Sequence, residues 1–334
     1  MFVRNDSAFQ PALARGLVSD EVAVATITVE CMFQITRAGL APIPLAPRTP
    51  LDAPDVSKHV LWRGTSVTAS GHVYGPRTEP CVRPISLRVG DRVENIAVFG
   101  ERRWRRSFWG TLEPTLPMPF ERIALSYECA FGGSYVESPG LFLGTNLPHP
   151  GGTIAHPLNP KGIGLYRDAK SAAGQLLPFI ERSDELVREW NQRPRPAGLS
   201  PCPELMSLRA PTTEAQLRGE PIAPALRVAH HAPGWLIFDR LAFGTRVSLV
   251  GVGKEPLAFE IPMPSFDVEA QSSHACRATR NVRSVHIDAD AQTMRVAHAY
   301  SFIYEPKHAP RLFVVRDSTL QERSCPQISI PMPA

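Results

Sequence analysis

The chain has 334 residues, of which 43% are hydrophobic, so it is long enough to bury a sizeable core. Its 34 prolines are roughly twice the usual share, which favours short strands joined by ordered loops and disfavours long helices. The formal net charge of +4 is small and is spread along the chain, so the sequence gives no electrostatic reason to expect nucleic-acid binding.

The chain also lacks the features of a membrane or secreted protein. No run approaches the ~18 to 20 apolar residues that a membrane span needs, and the first residues contain no signal-like apolar core. The cysteines are widely separated and form no CxxC pair, which indicates free thiols in a reducing compartment. We therefore expect a cytoplasmic protein that does not insert into a membrane.

Alternating apolar and polar residues predict strands through most of the first half of the chain. A half-buried strand is predicted at 27–36, followed by a second alternation at 66–73. A hairpin is predicted where strand 85–89 turns at Gly90-Asp91 and returns through 93–99. A further strand at 123–127 leads into a long segment rich in glycine and proline.

The region after residue 170 has a different pattern. Residues 179–190, FIERSDELVREW, place apolar side chains roughly on one face of a helix and charges elsewhere, so a helix is predicted there, with a weaker one at 212–218. Strands are predicted again at 226–228, 236–238, 247–252 and 257–261. They are followed by a hairpin of 285–287 and 294–304 and by a last strand at 312–315.

The glycine- and proline-rich segment 127–166 is the longest loop candidate in the chain. Loops of this length in compact domains are functional or disordered, and the aromatic and aliphatic residues within it argue against disorder. It contains no GxSxG nucleophile motif, no phosphate-binding loop and no recognised spacing of metal ligands. We expect neither a catalytic nucleophile nor a cofactor or metal site.

Carboxylates near this segment leave one enzymatic alternative open. Glu121, Glu128, Glu137 and Asp267 are candidates for the paired acids of a carbohydrate- or peptidoglycan-directed hydrolase. The sequence does not place any two of them at the ~5 to 9 Å separation that such chemistry needs. A deep pocket holding two of these side chains would favour that alternative.

Three phrases carry a family resemblance. They are VFGERRW at 98–104, YECAFGG at 127–133 and NPKGIG at 159–164. In this order and spacing the chain resembles the bacterial domain-of-unknown-function family 2169, most clearly from residue 22 to residue 181. The motif residues expected to support the fold are Phe99, Gly100, Arg102, Trp104, Glu128, Phe131, Gly132, Gly133, Asn159, Pro160, Gly162 and Gly164.

The resemblance implies a function in secretion. Genes of the family lie beside type VI secretion genes, and some members act as adaptors or chaperones that help load a toxic effector onto spike proteins. It therefore implies an effector and spike proteins as partners, with an oligomeric state left open. Phe131, Tyr135 and Phe142 are the aromatic residues of the loop that we expect to contact such a partner.

Together these observations predict a mainly β protein. It would contain two packed β-sandwich-like units, a long ordered Gly/Pro-rich loop and a small helical insertion, divided as 1–170, 171–224 and 225–334. The expected function is that of a non-enzymatic adaptor or chaperone. A hydrolase and a structural component of the secretion assembly remain as alternatives.

Overall fold

The structure is a computed structural model that describes residues 2–7, 9–17, 20–45, 64–137, 139–141, 148–149, 151–202, 232–272, 274 and 276–318. Strands hold 51% of the described residues, which confirms the predicted mainly β fold. In these ranges the only α-helix is the single turn α1 (Ala169–Ala172), and short 3-10 turns occupy Tyr127–Cys129, Gly234–Leu236 and Pro306–His308. None of the helices there is long and apolar enough to cross a membrane.

Most strands in the described part of the chain are short, and three of them have twelve residues or more. In chain order they are β1 (Phe2–Asp6), β2 (Gln10–Leu17), β3 (Ala23–Thr36), β4 (Gly39–Ile43), β5 (Thr65–Ser70), β6 (His72–Tyr74), β7 (Val82–Val89), β8 (Arg92–Phe99), β9 (Trp104–Arg106), β10 (Leu112–Pro114), β11 (Arg122–Ala124), β12 (Phe131–Gly132), β13 (Ser134–Glu137), β14 (Gly140–Leu141), β15 (Pro148–His149), β16 (Gly152–Ala155), β17 (Ile163–Gly164), β18 (Ile180–Arg182), β19 (Ile237–Phe238), β20 (Arg246–Val250), β21 (Leu257–Glu260), β22 (Phe266–Gln271), β23 (Arg277–Asp288), β24 (Thr293–Tyr304) and β25 (Leu312–Asp317).

Three larger sheets organise these strands. The first has seven strands in the order β19-β5-β23-β24-β3-β2, with β4 added to one end of β3, and the second has five in the order β18-β8-β7-β20-β21. The third is the three-stranded sheet β1-β25-β22. The ladders β6–β11, β9–β10, β12–β17, β13–β16 and β14–β15 are two-stranded.

The long strands β3 and β24 connect two hydrophobic cores. They pair antiparallel with Ile27 opposite Tyr300 and Cys31 opposite Val296, so these side chains lie on one face of the seven-stranded sheet. Near one end of the pair this face packs against the five-stranded sheet, and near the other end against the three-stranded sheet. A strand of fourteen residues spans about 45 Å, which is long enough to serve both cores.

The sheets combine strands from distant parts of the sequence. β3 pairs with β24, β5 pairs with β23, β7 pairs with β20, and β1 pairs with β25. The segments 1–170 and 225–334 of the predicted division therefore contribute neighbouring strands to each of the three larger sheets. Sheet pairing crosses the boundaries of that division because residues far apart in sequence bury each other's apolar faces.

The helix predicted at 179–190 is wrong. Ile180–Arg182 instead forms β18, which pairs antiparallel with β8, and residues 183–190 form turns and irregular backbone. Ile180 is fully buried in the five-stranded sheet, and Glu181 is buried in an ion pair with Arg102. The apolar periodicity suited a helix, but these tertiary contacts outweigh a weak local preference.

The other predicted elements are found with different limits or lie outside the described residues. The hairpins at 85–99 and at 285–304 are confirmed as β7–β8 and β23–β24. The strand at 123–127 ends at residue 124, and the chain then enters a 3-10 turn. The predicted helix at 212–218 and the predicted strand at 226–228 lie outside the described residues.

Candidate functional site

The YECAFGG and NPKGIG phrases meet as two short parallel strands. β12 and β17 pair with Phe131 opposite Ile163 and Gly132 opposite Gly164. The Ile163 amide donates to the Ala130 carbonyl at 2.9 Å, and the Leu165 amide donates to the Gly132 carbonyl at 2.8 Å. The structure therefore brings together two motifs that lie about thirty residues apart in the sequence.

The side chain of Asn159 stabilises this junction through buried hydrogen bonds. Its side chain is fully buried, and its Nδ2 donates to the carbonyl oxygens of Tyr127 at 2.7 Å and Phe131 at 3.1 Å. Its own carbonyl accepts the Gly133 amide at 2.8 Å. Because a buried carbonyl without a donor is costly, the Asn159 amide stabilises a turn that has no regular ladder of its own.

Two glycines permit the close approach. A Cβ built at Gly132 would overlap the carbonyl oxygen of Asn159. Gly133 has a φ of +108°, and a Cβ there would meet the Gly162 carbonyl oxygen at 2.8 Å. Larger residues therefore have no room at the first position and are strained at the second.

The VFGERRW phrase contributes a buried ion pair. An Nη2 of Arg102 donates to Glu181 Oε1 and to the Pro178 carbonyl, the latter at 2.7 Å. The Arg102 guanidinium also lies over the Phe99 ring, with its carbon 3.6 Å from the ring centroid. The Val187 amide donates to the second Glu181 oxygen at 2.9 Å. Burial raises the pKa of Glu181, while Arg102 acts in the opposite direction.

These contacts surround a small apolar cluster, which we call the motif core. It consists of the buried residues Trp104, Phe131, Leu165, Ala172, Leu177 and Val187. Leu112, Tyr135, Tyr166 and Trp190 pack against it with partly buried side chains. The motif core thus joins side chains from β9, β10, β12, β13 and α1 with side chains of the segments that follow β17 and α1.

Most of the predicted motif residues lie at positions where they support the fold. Gly100 follows β8, Gly162 precedes β17 and Gly164 ends it, while Pro160 is half-buried in the turn after Asn159. Glu128 differs, because its side chain is about half exposed and lies 3.5 Å from the Lys161 amine. Trp104 is buried, and the Arg102 guanidinium lies over the ring of Phe99.

Of the three aromatic residues expected to contact a partner, Phe131 needs a correction. Phe131 is only 2% exposed and belongs to the motif core, so its ring offers no surface to a partner. Tyr135 is half-buried against the same core. Phe142 lies outside the described residues.

His156 lies beside the motif core and has the surroundings of a structural residue. The His156 ring packs edge-on against Phe131 with 5.4 Å between centroids. Burial first, and the positive charge of Arg193 second, lower the pKa of His156. The imidazole is therefore held neutral next to an apolar ring.

The candidate carboxylates lie on separate elements. Glu121 forms an exposed ion pair with Arg77, and Glu128 lies beside Lys161. Glu137 ends β13, and Asp267 is exposed on β22 in the three-stranded sheet.

A hairpin that sequence reasoning did not single out projects from the motif core. β9 and β10 pair with Trp104 opposite Pro114 and Arg106 opposite Leu112. At its base, the Trp104 amide donates to the Gln175 carbonyl at 3.0 Å, and the Gly174 amide donates back to the Trp104 carbonyl at 2.8 Å. Trp104 and Leu112 pack in or against the motif core, so the hairpin is held by backbone hydrogen bonds at its base and by a side chain from each of its strands.

The tip of this hairpin exposes two aromatic rings. Phe108 is 95% exposed and Trp109 is 85% exposed, and their rings meet edge-on with centroids 5.4 Å apart. Ser107 and Thr111 close the turn through a 2.8 Å backbone hydrogen bond and a 2.6 Å hydrogen bond between hydroxyls. The sequence Ser-Phe-Trp-Gly-Thr could have indicated these exposed rings, because aromatic side chains in a tight turn lie away from the core.

Exposed apolar side chains are frequent in one stretch of the chain. Ten large hydrophobic side chains of the described residues are exposed, and seven of them lie between residues 108 and 158. Those seven are Phe108, Trp109, Leu116, Met118, Val136, Ile154 and Leu158. Single exposed apolar residues are ordinary, whereas Phe108 and Trp109 expose two large rings that touch each other, which is a feature of interaction surfaces.

The fold and site therefore define a class: a β-sheet protein in which a packed motif core supports exposed apolar hairpins. A family model described as "Uncharacterized protein conserved in bacteria (DUF2169)" matches residues 22–298, which is most of the chain. The chain belongs to this bacterial family. The match extends beyond residue 181 and covers β19 to β23 and half of β24. No curated protein and no solved structure matches the chain.

Proposed function

We propose that this protein is a non-enzymatic adaptor or chaperone that binds a type VI secretion effector in the cytoplasm and helps load it onto the spike complex. The secretion link rests on the resemblance carried by the three motifs. The observation that supports a binding role is the nearly complete exposure of Phe108 and Trp109 on an anchored hairpin.

The arrangement of the motif residues fits this role. Asn159, Gly132 and the Arg102–Glu181 pair consolidate the protein interior. A protein that holds a partner needs a stable scaffold, because ordering a loose surface on binding costs free energy. Large rings on such a scaffold bury apolar area on contact and are typical of interface hot spots.

Co-expression with the neighbouring effector gene tests the proposal. We expect the effector to co-purify with this protein and to be less soluble when expressed alone. A spike protein should then be retained by the pair and not by the effector alone. An effector that is equally soluble alone and never co-purifies would refute the adaptor role.

A further inference from the structure

The exposed rings on the β9–β10 hairpin have no counterpart elsewhere in the described structure. Phe108 and Trp109 are the two most exposed of its ten exposed large hydrophobic side chains. The motif core does not use these two rings, because the hairpin residues that pack in or against it are Trp104 and Leu112. Burial of each ring in a partner would remove a large apolar area from water, which is the dominant favourable term in association.

The hairpin presents these rings in an ordered way. The turn is closed at Ser107 and Thr111. The chain after β10 continues along the opposite limb, where the Thr115 amide donates to the Arg103 carbonyl and the Met118 amide to the Glu101 carbonyl, both at 2.9 Å. Leu116 and Met118 on this limb are also exposed, at 82% and 59%. A rigid hairpin loses little conformational entropy when it is bound, so more of the burial energy becomes affinity.

The charges near the tip indicate what surrounds the partner's pocket. At the base, Arg102 and Arg103 are neutralised by Glu181 and Glu101. Nearer the tip, Arg105 and Arg106 are exposed and have no ion pair within the described ranges. The hairpin 104–114 contains one carboxylate, Glu113, so its charge is positive by one. A partner with carboxylates around an apolar pocket is complementary to this arrangement.

Other classes of partner fit less well. Stable attachment to an anionic membrane through basic residues uses clusters of about four to eight lysines and arginines, and only two unpaired arginines are present on the hairpin. Binding of single-stranded nucleic acid combines stacking rings with a positively charged groove, and the net charge of this chain is only +4. Tryptophan and arginine next to each other are, by contrast, typical of protein hot spots.

From this geometry we infer that the tip of the β9–β10 hairpin is the contact by which the chain holds its protein partner. Phe108 and Trp109 enter an apolar pocket of the partner, and Arg105 and Arg106 face carboxylates on its rim. The inference rests on the proposed function, in which this partner is the effector. It adds which surface binds and what chemistry that surface selects.

The test uses the full-length protein and the purified product of the neighbouring effector gene. F108A/W109A is compared with V250A/M263A, which removes two apolar side chains that are also at least half exposed but lie elsewhere. R105E/R106E is compared with R83E/R88E, which reverses two exposed arginines on β7. All four variants should retain the wild-type Tm, because none of the substituted side chains is buried.

We expect F108A/W109A to weaken effector binding by about 30-fold or more, as expected for loss of a hot spot of 2 kcal/mol or more. R105E/R106E should lower the association rate and remove most of its dependence on salt. The V250A/M263A and R83E/R88E variants should bind as the wild type does.

Three results would overturn the inference, and they separate it from the adaptor role. If the wild type binds the effector and F108A/W109A binds equally well, the hairpin is not the contact while the adaptor role stands. If the tip is needed instead for binding vesicles with 30% phosphatidylglycerol or a single-stranded oligonucleotide, the partner class is wrong. If the wild type does not bind the effector at all, the adaptor role and the inference fail together.

Discussion

The Arg102 guanidinium and the Glu181 carboxylate form an ion pair inside the protein, with side-chain exposures of 7% and 1%. Arg102 follows β8 and Glu181 lies in β18, which pairs with β8. The pair therefore links the VFGERRW motif to a segment that lies 79 residues further along the chain. Removal of either partner leaves the other charge buried without compensation.

Arg102→Met should therefore lower the free energy of unfolding by about 3 to 5 kcal/mol, as measured by urea denaturation. Arg103→Gln is the matched control, because the Arg103–Glu101 pair is about half exposed and should change stability by less than about 1 kcal/mol. The double variant R102M/E181L should recover part of the loss. Equal effects of R102M and R103Q would contradict a role for burial.

Asn159→Ala should destabilise the protein by about 2 to 4 kcal/mol, because the buried carbonyl oxygens of Tyr127 and Phe131 both lose the Asn159 amide and Tyr127 keeps only the Ala130 amide as a donor. Asn95→Ala provides the comparison, since Asn95 is exposed on β8 and its replacement should change stability by no more than about 0.5 kcal/mol. Both values come from denaturant unfolding. A stable N159A protein would show that the junction of β12 and β17 holds without the amide.

Gly132→Val should lower stability by at least about 3 kcal/mol or prevent folding, because the new side chain overlaps the Asn159 carbonyl. Gly133→Val adds strain at a φ of +108° and should also destabilise. Gly234→Ala is the control, since open space surrounds that position and its φ is not in the positive region. If a Gly132 variant keeps the wild-type Tm while effector binding vanishes, the glycine serves binding and not folding.

His298 makes stability depend on pH. It is fully buried on β24, its two ring nitrogens have no hydrogen-bond partner in the described structure, and the rings of Phe243 and Phe266 pack around it. Burial first, and the charge of Arg280 second, lower its pKa from 6.5 to about 4. The unfolded chain takes up the proton at higher pH than the folded protein does, so stability is complete above pH 6.5 and falls between pH 6.5 and 4.

Replacement of His298 by leucine should remove this part of the acid sensitivity. Over the interval from pH 6.5 to pH 4 the wild type should lose about 3 kcal/mol more than His298→Leu. Urea unfolding at a series of pH values measures the difference. Parallel profiles for the two proteins would show that the imidazole is protonated without cost in the folded state.

The β7–β8 and β23–β24 hairpins were predicted correctly, because strand alternation and turn residues are local properties of the sequence. The alternation at 85–89 and 93–99 around Gly90-Asp91 encodes both faces of the β7–β8 pair and its turn. The same pattern on β3 predicted a half-buried strand, yet Thr26 and Thr28 on the polar face are also buried. Alternation identifies the apolar face of a strand, but it does not say whether the other face is covered.

The site was predicted only in part for the same reason. The motifs indicated residues with special backbone and packing needs, and Gly132, Asn159 and Arg102 are buried at such positions. Phe131 and Phe108 are the same residue type, however, and one is enclosed while the other is almost fully exposed. Which aromatic ring faces solvent depends on what packs over it, and that is decided by contacts between distant segments.

The sequence by itself determined that this protein is mainly β, where the β7–β8 and β23–β24 hairpins turn, and which glycines and prolines shape its long loop. Proline content, two-residue periodicity and turn residues act over a few positions, so they can be interpreted without a fold. Only the tertiary structure decided that 180–182 is a strand, that β3 and β24 serve two cores, and that Phe108 and Trp109 are left outside. Those outcomes depend on which distant surfaces bury one another, and burial energy gained there exceeds the local preferences that the sequence displays.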